Sequence, residues 1–83
     1  MKLVFLGRFR EIAGAHLADM VLPKDVSTLS GLKDWLARSE PILAQALEGA
    51  RTQYAINQMI VRDGGHPIRD GDEIAFLPPM SGG

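Results

Sequence analysis

The chain has 83 residues, 46 % hydrophobic and 23 % charged, with nine Lys and Arg against ten Asp and Glu for a net charge of −1. That length supports one domain, able to bury about 60–65 % of its unfolded surface, and the even charge balance argues against a nucleic-acid binder, which carries a basic excess or stripe. Cysteine is absent, so there is no disulfide and no thiolate nucleophile, and zinc would have only His and carboxylate ligands. No apolar run reaches membrane-spanning length, and Met1-Lys2 opens into a strand-like run rather than a secretory leader. A cytoplasmic protein without membrane contact is expected.

Lys2 to Leu6 is apolar after its first residue and stops at Gly7, which predicts a first strand. Arg8 to Gly14 can form a helical turn, closed by Gly14. Leu17 to Leu22 alternates well enough for a second strand, ended by Pro23, and the two strands would form a hairpin with a long loop. Ser27 or Thr28 offers an N-cap before Leu29, Leu32, Trp35 and Leu36, whose spacing marks one face of a helix. Pro41 starts a shorter helix through Leu43 and Leu47, with Gly49 past its end. Tyr54 to Asn57 and Met59 to Val61 read as short strands, and Asp63-Gly64-Gly65 as a turn. Asp70-Gly71-Asp72 then turns the chain into a last strand, Glu73 to Leu77. With the helix as crossover, that strand can lie beside the first and parallel to it. The expected architecture is α+β, a mixed sheet with one main helix on one face.

Side chains alternate across a strand, so Leu3 and Phe5 share one face while Val4 and Leu6 take the other; Ile74 and Phe76 oppose Ala75 and Leu77 in the same way. Both faces are apolar, yet only one helix of substance is available to cover them. The larger set, Leu3, Phe5, Ile74 and Phe76, is assigned to the core. Leu6 and Leu77 then belong to an uncovered apolar surface, a candidate partner face. Arg10, near that patch, can pair with a partner's carboxylate.

Residues 1–77 therefore form the domain, and 78–83 an extended tail. Pro78 and Pro79 fix φ and offer no N–H, so the ladder cannot continue and the chain leads away. Met80, Ser81, Gly82 and Gly83 follow, with no side chain large enough to anchor them. A frayed terminus is the plain reading, but a closing Gly pair arises by chance in only about 0.5 % of chains at average usage, which makes a functional reading worth pursuing. A Gly-Gly tip fits a channel that admits no larger residue. Its α-carboxylate, ionised at neutral pH, is a poor electrophile until a partner activates it. Elsewhere His16 and His66 lie far apart with no metal-ligand spacing, Asp70, Asp72 and Glu73 serve a turn, and Asp63-Gly64-Gly65 lacks the Lys and following helix of a phosphate loop. Nothing assembles an active site within the chain, and no metal site is expected.

Gly7-Arg8-Phe9-Arg10-Glu11-Ile12-Ala13-Gly14, Ala55-Ile56-Asn57-Gln58, Asp70-Gly71-Asp72-Glu73-Ile74-Ala75-Phe76 and Pro78-Pro79-Met80-Ser81-Gly82-Gly83 together resemble the small, sulfur-carrying subunits of molybdopterin synthases, within the ubiquitin-like sulfur carriers. The resemblance spans almost the whole chain in the same order. It implies a β-grasp, ubiquitin-like fold with a flexible C-terminal Gly-Gly tail. It also implies a cycle in which an ATP-dependent activating enzyme adenylates Gly83 and a persulfide sulfur donor converts it to a thiocarboxylate. That sulfur would then enter a pyranopterin precursor during molybdenum cofactor biosynthesis. The large subunit of a heterotetrameric synthase would hold the catalytic residues and receive Leu77 to Gly83, while the small chain binds no cofactor itself. Leu6 departs from the aromatic common there, a milder patch. A thiamine-pathway sulfur carrier, typically shorter and without the Pro-Pro lead, and a ubiquitin-like protein modifier are the alternatives.

Overall fold

A computed structural model describes residues 1–79. In chain order it contains β1 (Lys2–Phe5), α1 (Phe9–Ile12), a 3-10 turn at Ala15–Leu17, α2 (Leu29–Ser39), α3 (Pro41–Gly49), β2 (Gln53–Ile56), β3 (Met59–Val61) and β4 (Glu73–Leu77). The sheet runs β1-β4-β2-β3. β4 lies parallel to β1 and antiparallel to β2, which in turn is antiparallel to β3. The mixed α+β sheet, with β4 parallel to β1 at one edge, is the architecture expected from the crossover.

α2 begins where the sequence provides a cap: the Thr28 hydroxyl accepts the Gly31 N–H at 3.0 Å, satisfying one of the donors a helix start leaves open. Leu29, Leu32 and Leu36 then fall on one buried face, joined by Leu43 and Leu47 of α3. They pack on Leu3, Phe5, Ile74 and Phe76 of the sheet in a single core. The Phe5 and Phe76 rings stack with centroids 4.5 Å apart, and Tyr54 meets Phe76 edge-on at 5.5 Å. Phe9 of α1 is also fully buried, so the short helix plugs one end of this core.

β2 and β3 are joined by Asn57 and Gln58, both with positive φ (50° and 70°), the two-residue turn whose twist matches flanking strands. Asn57 accepts the Glu73 N–H and donates to Asp72, both at 3.0 Å, tying this hairpin to the start of β4.

The expected second strand, Leu17 to Leu22, does not form. Ala15–Leu17 coil into the 3-10 turn, and the rest meets β1 through one bridge, Lys2 with Asp19. Leu3 N–H donates to Ala18 and Met20 N–H to Met1, but Leu22 N–H turns to the Asp70 carboxylate at 3.1 Å. The last donor of the anticipated strand is thus taken up by a side chain remote in sequence. The first strand also closes one residue early, at Phe5, although Leu6 N–H still donates to Phe76. α1 ends at Ile12 rather than Gly14, and Gly14 opens the 3-10 turn, where a Cβ would run into the His16 ring.

Candidate functional site

The sheet has two unlike faces. Leu3, Ile74 and Phe76 are at most 3 % exposed on the helix side, whereas Leu6 is 39 % exposed on the other. The division is the one expected from strand alternation. Strand register builds the open face in detail: Val4 pairs with Ala75, Ala75 with Ala55, and Ala55 with Ile60. One apolar row therefore crosses all four strands, with the two alanines as a shallow trough between Val4 and Ile60, the latter 49 % exposed. Leu77 sits one step along, paired with Gln53, and Leu6 follows Phe5 on the same side.

Sequence reasoning missed Ile60 and the alanine trough. The signal was present, since a two-residue turn at Asn57-Gln58 pairs Ile56 with Met59 and so sets Ile60 opposite Ala55. Arg10 is exposed on α1 and lines, with Val4 and Ala13, a groove of about 320 Å³ along the outer edge of β1. It thus borders the Val4 end of the row, and no acidic side chain lies within ion-pairing reach of it among the described residues.

The tail leaves from this face. Leu77 is the last strand residue, Pro78 is half-buried and Pro79 exposed. Gly7 fixes the exit: its φ is +58°, and a Cβ there would stand 2.8 Å from Cγ of Pro78. Any side chain at position 7 would incur left-handed backbone strain and push the first proline aside. Gly7 thus does more than end a strand. Met80, Ser81, Gly82 and Gly83 lie outside the described residues.

Asp70, Asp72, His16 and His66 serve local structure. Asp70 accepts Leu22 N–H and the Met1 amine, and these bonds, the backbone one foremost, hold its carboxyl below the usual range. Asp72 is lowered too, first by the Asn57 amide and then by Arg69 N–H. His16 meets Glu40 at 3.0 Å on the surface, and His66 contacts the Pro67 carbonyl. No group of three potential metal ligands occurs among the described residues.

The fold and the tail-bearing open face define a ubiquitin-like, β-grasp domain. A crystal structure of SAMP1 from Haloferax volcanii matches it with a TM-score of 0.75 over 98 % of this chain and 96 % of that one, at 24 % identity. The chain belongs to the ThiS family, whose model matches residues 3–83. Three proteins named molybdopterin synthase sulfur carrier subunit are similar along their full length. That of Escherichia coli is 35 % identical over all of this chain and 99 % of its own. That of Haemophilus influenzae is 32 % identical with the same coverage. That of Dictyostelium discoideum is 35 % identical over 99 % of this chain and 94 % of its own.

Proposed function

We propose that this chain is the sulfur carrier subunit of a molybdopterin synthase. The observation that carries the reading is the continuity of the open apolar row with the exit of the tail, in a chain that matches named carriers from end to end. A partner that covers Val4, Leu6, Ile60 and Leu77 has Pro78 beside its surface and can receive Met80 to Gly83 in a narrow channel.

The chemistry follows from the terminus. An ATP-dependent activating enzyme joins the Gly83 carboxylate to AMP, releasing pyrophosphate. A persulfide then displaces AMP, and a thiol splits the new S–S bond to leave a thiocarboxylate. That sulfur is a nucleophile, and the large subunit directs it at a pyranopterin precursor. Pro78 and Pro79 give a semi-rigid lead, which lowers the entropy lost on insertion. The carrier binds no cofactor, ATP being consumed by its partner, and it works in the cytoplasm.

Intact mass of the protein isolated from its own cell provides the test. Charged carrier has one oxygen replaced by sulfur, and mixing with the large subunit and precursor restores the original mass as dithiolene product appears. Stable lysine-linked conjugates with no sulfur-bearing form would instead identify a protein modifier.

A further inference from the structure

A second surface lies at the β3 end of the apolar row. Lys33, Arg51 and Arg62 surround an open cavity of about 360 Å³ between α2 and the β2–β3 hairpin, with Thr52, Gln53 and Tyr54 completing its polar wall. No Asp or Glu lines it. Three of the chain's nine basic residues thus meet at one cavity in a protein of net charge −1. All three are exposed, and none has an ion-pair partner within 4.0 Å among the described residues. Lys33 is held 5.0 Å over the Tyr54 ring, a cation–π contact rather than a salt bridge. The nearby acids Asp34 and Glu48 line an adjoining groove that shares Lys33 and Tyr54 with this one, and neither they nor any other acid pairs with Arg51 or Arg62 among the described residues. The Thr52 hydroxyl donates to the Leu47 carbonyl at 2.7 Å, so its lone pairs remain for a donor-bearing ligand or water.

Such a wall selects for negative charge. Its position narrows the class of ligand. Ile60 borders this cavity and also ends the apolar row, and Gln53 pairs with Leu77 at the base of the tail. The cations are spread over an open corner, Lys33 on α2, Arg51 in the turn before β2 and Arg62 just past β3, rather than on one element. That spacing suits several carboxylates on a protein surface better than a single phosphate. We propose that Lys33, Arg51 and Arg62 are a basic rim that docks an acidic segment of the protein covering the open sheet face. The inference rests on the partner reading above and adds its charge: Asp and Glu side chains should flank the partner's apolar patch on the side that meets β3. Charges at an interface rim act chiefly on the rate of encounter, and do so more strongly at low salt.

The test measures association of the full chain with its molybdopterin synthase large subunit by stopped-flow, at low and at physiological salt. Arg51→Glu/Arg62→Glu should slow association about tenfold or more at low salt and lose most of its salt dependence, while thermal melts match the wild type. Arg51→Gln/Arg62→Gln should fall between them. Arg38→Glu, which reverses an exposed α2 cation away from the cavity, should change the rate far less. Association of Arg51→Glu/Arg62→Glu within about twofold of wild type at low salt would overturn the inference. So would saturable binding of inorganic phosphate or ATP at Arg51 to Tyr54, read by amide chemical shifts, that leaves the rate of association with the large subunit unaltered. Leu77→Asp reports separately on the face itself: its failure to weaken binding would overturn the partner reading, whatever the basic rim does.

Discussion

At the scale of single residues, two positions carry more than their identity suggests. Gly7 combines a positive φ with contact to Pro78, so it acts on both stability and the direction of the tail. Gly7→Ala should cost about 1–2 kcal/mol from backbone strain, read in urea melts. The core should persist, because Phe5 and Phe9 on either side are buried independently of that contact. The same variant should slow sulfur transfer by more than its stability loss explains, and full transfer at saturating large subunit would show that the exit geometry is dispensable. Asp70 and Asp72 act on pH dependence instead. Both carboxyls lie below their ordinary values in the folded chain. Their contribution is therefore complete above the unfolded pKa of about 3.9 and is lost as pH falls through the native values. Urea midpoints should decline below about pH 4, and Asp70→Asn with Asp72→Asn should flatten that decline. An unchanged acid limb in the double variant would contradict the assignment.

At the scale of elements, the helices follow from local rules and the sheet edge does not. Leu36 is fully buried on α2, while Ile42 on α3 is 75 % exposed. Leu36→Ala should destabilise by about 2–5 kcal/mol through lost contacts and a residual cavity, a large part of a small domain's total. Ile42→Ala should be close to neutral in the same chemical melt. Equal losses would mean that the helix faces are misassigned. α2 and β4 were legible because cap, spacing and turn residues agree: Thr28 before Leu29 and Asp70-Gly71-Asp72 before Glu73. β3 was legible from its apolar run, but the strand before it ends at Ile56 rather than Asn57, because Asn57 and Gln58 take positive φ in the turn. The segment from Leu17 to Leu22 was not legible, because its alternation competes with bonds that local pattern does not reveal. Its last donor goes to Asp70, which lies 48 residues away along the chain. Likewise, Leu6 and Leu77 were legible as an outward pair from alternation alone. The trough that joins them to Ile60 needed the cross-strand register, and the basic corner needed α2 placed against the hairpin.

At the scale of the whole molecule, stability and function are separated in space. All helices share one core on one side of the sheet, and the tail departs from the other. The domain can therefore fold without the terminus, and the terminus can be altered without touching the core. This separation gives the most direct test of the proposed chemistry. A chain extended past Gly83 by residues that no protease removes retains every contact described for residues 1–79, so its melting temperature should equal that of the wild type. It should still bind the large subunit through Leu6, Ile60 and Leu77, though less tightly if the channel is blind. What it loses is the glycyl carboxylate, because Gly83 is now in a peptide bond and offers no free oxygen to AMP. No sulfur-bearing mass should form with ATP, activating enzyme and persulfide donor, and cofactor synthesis should stop. Removing Gly83 alone should have the same outcome with a free but displaced carboxylate at Gly82, distinguishing the need for a terminus from the need for its position. Cofactor synthesis by the intact extended chain would show that the terminal carboxylate is not the group that carries sulfur.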